Sequence, residues 1–302
     1  MQNNLVMAQR DMQKNSKKQK IVKILVQVGL YSFLGIMALI VLFPFYWMII
    51  SSLKTLDEYR LSVPTLFPKF LDFMNFVEAF STANLGKLFL NTMYVGIVST
   101  LLSLVITVIT AFVFARLDFK GKEVLFAGLL ATMMIPGELF TVTNFGTVST
   151  FTRIPLLSWM GINTFGALIV PFLVSVFYIY LLRQNFLQIP NELYLAAKVD
   201  GTSDLKYLWK VMIPLAAPSL VSITILKMMG AWNSYVWPNL VSDDEHSLIT
   251  NGLRNAFTDL SGDTDIPLQM AAVALVSIPL FLVFIFLRKY IMKGVSRSGI
   301  KG

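Results

Sequence analysis

Six stretches of this chain, residues 28–50, 88–115, 124–143, 162–182, 214–237 and 266–287, are almost unbroken runs of apolar side chains. Across all six the only charges are Glu138 and Lys227. Each run reaches the roughly 20 residues that an α-helix needs to cross about 30 Å of hydrocarbon. Lipid offers a backbone no hydrogen bonds, so each run must pair its own N–H and C=O groups, and a helix does so within one segment. The expected fold is therefore an all-α membrane protein with six transmembrane helices. Pro136, Pro171, Pro218 and Pro279 fall inside the runs and predict local bends rather than breaks.

The charges between the runs set the expected orientation. Arg10, Lys14, Lys17, Lys18, Lys20 and Lys23 precede most of the first run against a single acid, Asp11. Arg116, Lys120 and Lys122 lie between the second and third runs, and Arg183, Lys198, Lys206 and Lys210 between the fourth and fifth. Arg288, Lys289, Lys293, Arg297 and Lys301 follow the sixth. The other loops are balanced or acidic: the last carries Asp243, Asp244, Glu245, Asp259, Asp263 and Asp265 against Arg254 alone. Loops rich in Lys and Arg stay in the cytoplasm, which places both termini there. The same asymmetry accounts for the net charge of +8 without a nucleic-acid partner. The run at 28–50 is longer than a signal-peptide core and reads as a retained span. The chain thus divides into a basic cytoplasmic N-terminus at 1–27, a first transmembrane helix at 28–50, a core of five helices at 88–287 and a cytoplasmic tail at 288–302.

Several kinds of chemistry have nothing to work with. The chain has no cysteine, so no disulfide and no thiolate metal site. Its only histidine, His246, sits in the acidic loop. No segment reads Gly-x-x-x-x-Gly-Lys-Ser/Thr, the loop that cradles nucleotide phosphates. With no catalytic constellation either, the chain does not read as an enzyme.

The most informative polar stretch is 190–213, a charged island between the fourth and fifth runs. It predicts two short helices with a sharp turn. Pro190 suits a helix start and Asn191 a cap. Gly201 is placed where a chain leaving a helix needs a left-handed backbone. Thr202 or Ser203 is suited to cap the second helix, with Asp204 in its first turn. On spacing alone this is equally an ordinary loop between spans.

Its residues carry more. Ala196, Ala197, Asp200, Gly201, Pro214, Leu215 and Pro218 fall on the pattern of the cytoplasmic loop of binding-protein-dependent ABC importer permeases, which the stretch resembles. One position departs: where the family has glutamate before the two alanines, this chain has Leu195, and Glu192 stands one helical turn earlier. The resemblance extends to Met134-Ile135-Pro136, Asn163-Thr164, Leu182-Arg183-Gln184, Ala231-Trp232-Asn233 and Trp237-Pro238, and is closest to the second permease of maltose-type carbohydrate systems.

What the resemblance implies is an importer in the bacterial cell membrane with the type I permease fold. This chain would pair with a second, different permease subunit, with two ATPase subunits and with an extracytoplasmic solute-binding protein. It would hold no cofactor, since ATP and Mg²⁺ would bind the ATPases. Glu192, Leu195, Ala196, Ala197, Asp200 and Gly201 would form the coupling helix. Ser298, Gly299, Lys301 and Gly302 of the tail would reach the ATPase dimer. The implied cargo is a sugar or oligosaccharide. The alternatives are the same machinery for glycerol phosphate or another polar solute, and a channel or secondary transporter without ATP.

Lys227 lies well inside the fifth run, where a cation is costly and usually faces a bundle interior or a wet cavity. On a helix, Ile223, Gly230, Ala231 and Ser234 share its face. This face, with Asn233, is the expected translocation path, and Glu138 is the expected partner across it. The alternative is a Lys227–Glu138 pair, or a snorkelling side chain, that only fixes packing.

The orientation is testable directly, because introduced cysteines have no native competitors. Ser203→Cys and Ser298→Cys are expected to be shielded from an impermeant thiol reagent in intact cells. Ser81→Cys and Ser261→Cys are expected to react unless a binding protein covers them. Reaction at 203 but not at 261 would invert the topology.

Overall fold

A computed structural model describes the backbone of residues 2–257 and 264–296. The chain opens with α1 (Gln2–Ser52), a single 51-residue helix that carries Pro44 without breaking. The basic N-terminal stretch is thus helical and continuous with the first apolar run, and the apolar part extends over Val22–Ser52. A polar knot and two short helices follow, α2 (Leu56–Tyr59) and α3 (Met74–Thr82). Next comes the 32-residue α4 (Leu85–Arg116). The chain continues through α5 (Lys122–Thr132), α6 (Phe140–Thr152), α7 (Phe165–Ile169), α8 (Val176–Leu187) and α9 (Asn191–Val199). It closes with α10 (Asp204–Tyr207), α11 (Ile213–Leu215), α12 (Ala217–Trp232), α13 (Val236–Val241), α14 (Ile249–Ala256) and α15 (Ile266–Ser296).

Three helices are long and apolar enough to cross a membrane alone: Val22–Ser52, Leu85–Arg116 and Ile266–Phe286. Three further crossings exist only as bent pairs, giving six if each pair is one span. Here the structure corrects the expectation of mild proline bends. Lys122–Thr132 meets Gly137–Thr152 at 79°, Phe165–Phe172 meets Val176–Leu187 at 46°, and Asp204–Leu215 meets Ala217–Trp232 at 80°. Only Pro279 sits inside an unbroken helix as expected.

Each break has a local cause. A proline lacks an N–H and its ring crowds the preceding turn, which weakens the helix there, although Ile213 before Pro214 and Val170 before Pro171 keep right-handed α torsions. Ahead of Pro136, Met133, Met134 and Ile135 tighten into bonds with carbonyls three residues back, and Pro136 itself is extended. Before Pro214 the helix loosens instead into a π-turn, Leu208–Met212, closed by the Ile213 N–H on the Leu208 carbonyl. Pro218 then starts α12, where a missing N–H costs nothing. The fifth crossing therefore begins before Pro214, at Asp204, and its last straight helix ends at Trp232 rather than 237.

α4 is the axis of the bundle, packed on α8, α12, α7 and α14. Its buried face is a row of small residues, Thr92, Gly96, Ser99, Ser103, Thr107 and Ala111, spaced three to four apart. Small residues let helices approach closely where no hydrophobic effect draws them together. At Gly96 the approach is visible: a Cβ there would lie 3.2 Å from the Met228 side chain of α12.

One end of the bundle is tied by two arginines. Arg116, at the end of α4, is buried and donates from Nη2 to the Phe186 carbonyl (2.8 Å) and to the Ile189 carbonyl. Arg183, on α8, donates from Nε to the Phe114 carbonyl of α4 (3.0 Å). Its guanidinium also lies 4.0 Å from the Phe126 ring centroid. Each helix C-terminus thus has its orphan carbonyls capped by a cation from the other. At sequence level both looked like loop charges.

Arg116→Met is expected to destabilise the fold by about 1–3 kcal/mol, because it strips donors from buried carbonyls. Lys120→Met, at an exposed position nearby, is expected to stay within about 0.5 kcal/mol. Melting temperatures in detergent compare the two; equal values would remove Arg116 from the structural frame.

Candidate functional site

The charged island folds as two helices joined at Gly201. α9 runs Asn191–Val199 with Pro190, not Asn191, as the residue preceding it, and no side chain caps that end. Gly201 has φ of +69°, the left-handed conformation expected there. Its N–H reaches the Lys198 carbonyl (3.0 Å), and the Thr202 N–H reaches the Ala197 carbonyl (2.8 Å). This nested pair of bonds is the Schellman closure of a helix. Ser203 precedes α10 but its side chain makes no capping bond.

The sequence did not reveal what fixes α9 to the bundle. Asp204 accepts from the Tyr194 hydroxyl (2.7 Å) and pairs with Lys198 Nζ (2.7 Å). Tyr194 and Lys198 are four apart on α9, and Asp204 is the first residue of α10, so one carboxylate clamps both helices. The Tyr194 ring in turn packs 5.1 Å from the ring of Tyr207, which is fully buried among Phe112, Leu182, Phe186 and Met212. The hydrogen bond to Asp204 holds the Lys198 ammonium above its usual value.

The two faces of α9 differ. Ala197 packs inward against the core containing Tyr207. It is half-buried, and the more exposed of the two alanines is Ala196. Glu192, Leu195, Ala196 and Val199 are all exposed, at the spacing of one helix face. Leu205 and Trp209, just beyond the turn, are exposed as well. Asp200 is exposed at the helix end. The tail residues Ser298, Gly299, Lys301 and Gly302 lie outside the described residues.

A second feature lies within the bundle: a cleft of about 360 Å³ between α4, α12 and the break before α8. Ser99 of its lining stands near the centre of α4, so the cleft is at mid-depth of that helix. Three aromatic side chains, Phe172, Tyr178 and Trp237, line it together with Ser99, Ser175, Ser234 and Lys227. Phe172 and Trp237 meet edge to face, with centroids 5.7 Å apart. The Trp237 indole N–H is taken by the Ala167 carbonyl (3.0 Å), and its ring, largely buried, borders the cleft. Gly230 and Ala231 keep the α12 wall low.

Of the residues expected on a path, Lys227 and Ser234 line this cleft. Ile223 does not; it is buried in the core toward α9. Asn233 turns back, donating to the Met229 carbonyl (2.9 Å). Glu138 is exposed in the 3₁₀ turn after Pro136 and is not part of the lining. Lys227 does not pair with it. The ammonium instead donates to the Phe172 carbonyl, at the end of the helical piece that breaks before Ser175. An ammonium has three donors, and this bond uses one of them.

Residues 103–297 match the family model described as the binding-protein-dependent transport system inner membrane component. The chain is 31% identical over 270 residues to an arabinooligosaccharides transport system permease protein of Halalkalibacterium halodurans, covering 88% of this chain and 93% of the relative. It is 28% identical to a diacetylchitobiose uptake system permease protein of Streptomyces coelicolor, covering 89% of this chain and 87% of the relative. A polygalacturonan/rhamnogalacturonan transport system permease protein of Bacillus subtilis is 27% identical, with 90% of this chain and 97% of the relative covered. The fold is that of a chain in the crystal structure of a bacterial ABC transporter involved in import of the acidic polysaccharide alginate. The TM-score is 0.75 at 23% identity, over 88% of this chain and 96% of that one.

Hydrogen–deuterium exchange across 191–203 tests the clamp and the turn. Gly201→Val is expected to speed exchange, because a left-handed backbone costs a β-branched residue about 1–2 kcal/mol or more. Gly201→Asn is expected to be tolerated. Asp204→Ala is expected to speed exchange in α9; unchanged rates would show that the carboxylate holds nothing. Because the Lys198 value is raised, its contribution is complete at lower pH and is lost only as pH climbs through and above the usual lysine range. Protection is therefore expected to be level from about pH 5 to 9.

Proposed function

This chain belongs to the family of inner membrane components of binding-protein-dependent transport systems, and on that premise we propose that it is the permease subunit of an oligosaccharide importer. It is a multi-pass ABC transporter permease, not an enzyme. In the proposed assembly it pairs with a second permease, takes solute from an extracytoplasmic binding protein, and is driven by two ATPase subunits that carry the ATP and Mg²⁺. The six-crossing count, with both termini in the cytoplasm, rests on the three bent pairs each being one span and on the loop charges.

The observation that carries the cargo is the cleft. Aromatic faces beside hydroxyl and ammonium donors suit a saccharide, whose rings offer an apolar C–H face and a rim of hydroxyls. The names of the relatives support the same class. Force enters at the outward face of α9, which docks on an ATPase. The Asp204 clamp and the Tyr194–Tyr207 contact make α9 move with α10. The chain then turns by 80° into α12, which carries Lys227. Closure of the ATPases therefore tilts the cleft wall itself, and two packings of the bundle expose the cleft to opposite sides in turn.

A second reading, an acidic saccharide, is favoured by Lys227, the charged side chain in the lining. Relatives named for polygalacturonan/rhamnogalacturonan transport are compatible with it.

Uptake of a panel of neutral oligosaccharides and oligouronates by the reconstituted complex decides between them. Lys227→Met also strips the donor from the Phe172 carbonyl, so uptake is compared per assembled complex; on that basis it is expected to lose about tenfold or more, the worth of a hydrogen bond to a charged group at about 1.5–3 kcal/mol. A larger loss for uronates selects the acidic reading, and an equal loss the neutral one. Normal uptake of every transported member would remove Lys227 from the path.

A further inference from the structure

The segment that links α1 to α4 buries two of its charges and exposes much of its apolar surface. Lys54 is 1% exposed and Glu58 8%, while Asp57, Arg60 and Lys69 are exposed at its rim. Lys54 Nζ donates to the Thr65 carbonyl and lies 4.6 Å from the Trp47 ring centroid. Glu58 accepts from the Thr65 hydroxyl (2.7 Å) and with both oxygens from the Lys69 N–H (3.0 Å each). Asn75 donates to the Ser52 and Lys54 carbonyls, and the Asp72 N–H reaches the Leu53 carbonyl. Outside are large apolar side chains: Val63 is 77% exposed, Phe67 73% and Phe70 69%, with Leu66 and Phe73 also outward. A loop in water has the opposite arrangement, since buried charges are costly and exposed Phe gains nothing. Large apolar side chains outside, interspersed with exposed Arg60 and Lys69, is the arrangement of a surface that lies at a membrane interface, with cations at the headgroups and apolar groups below them.

Its height fits. The Tyr46 hydroxyl donates to the Leu66 carbonyl, and the Phe67 ring meets the Tyr46 ring with centroids 6.3 Å apart. Tyr46 is about one helical turn, some 6 Å, short of the end of the apolar run at 50. The lobe therefore folds back beside α1 to a level inside that end. Tyr46 and Trp47 mark the aromatic belt of a membrane interface. The apolar surface is continuous from Phe43, stacked on Trp47, through Tyr46 to Phe67, and so from the lipid-facing side of α1 onto the lobe.

We propose that residues 61–73 form an interfacial wedge whose exposed apolar side chains insert among the lipids of the outer leaflet, held in shape by the buried Lys54–Thr65–Glu58 knot. The occupant is lipid, not a protein partner. The wedge fixes the depth and tilt of α1, which is otherwise held in the chain by α15.

The test uses the cysteine-free chain in its assembled complex, with Val63→Cys or Phe67→Cys carrying an environment-sensitive NBD label. The vesicles contain phosphatidylethanolamine and phosphatidylglycerol, plus phosphatidylcholine brominated either near the headgroup end or near the methyl end of its chains. The expected result is blue-shifted emission, most of it lost with the shallow bromines and little with the deep ones, at a depth of about 5–10 Å. Ser81→Cys, on exposed α3, is expected to keep its emission in both. Water-like emission at 63 and 67 would overturn the proposal. So would blue-shifted emission that neither brominated lipid quenches, which would mean that a protein surface covers the lobe. If Phe67→Cys abolishes uptake, Val63→Cys reads the same lobe in an active complex.

Discussion

Within a bilayer a backbone carbonyl without a donor has no water to turn to, and that constraint governs where this bundle breaks. Non-helical backbone at membrane depth survives only where protein or a polar cavity supplies partners. The break before Ser175 borders the cleft, and Lys227 gives its ammonium to the Phe172 carbonyl just ahead of it. One residue thus mends the helix end and presents charge to the cavity. The pair with Glu138 is not formed; the ammonium instead ties the Phe172 carbonyl while the side chain lines the cleft.

The second dependence is on α4. Its row of Thr, Gly, Ser and Ala lets α8 and α12 lie close enough for Gly96 to touch Met228. Close approach brings the ends of α4 and α8 together, and Arg116 and Arg183 cap one another's helices there. The same approach at mid-depth, at Ser99, leaves the cleft between α4 and α12. The bundle is thus tied at one end by the two arginines and open at its centre at the cleft.

α9 is connected to that frame by polar contacts rather than by burial. None of its residues is buried, and only Tyr194 and Ala197 reach the core. Its outward face carries Leu195 and Val199 where the family pattern has an acid one residue before the alanines. Glu192 shares that face, so charge is still present, displaced by a turn.

The apolar runs were legible in the sequence, but only three are single crossing helices and the other three are bent pairs. The Gly201 turn was legible because glycine takes the left-handed conformation without steric cost just past a helix end, and Lys227 stood out because a cation in such a run is expensive. What the sequence did not carry was decided by contacts between distant residues. The prolines at 136 and 218 marked where helices were weakened, but whether each bends or breaks depended on whether neighbours offer donors and acceptors to the freed backbone. Glu138 and Lys227 shared a run-interior charge pattern, yet the breaks turn one out to the surface and the other into the cleft. Arg116 and Lys120 read alike as loop cations. Only packing α4 against α8 makes the first a buried cap and leaves the second exposed, because a charge four residues away along the chain says nothing of a carbonyl seventy residues on.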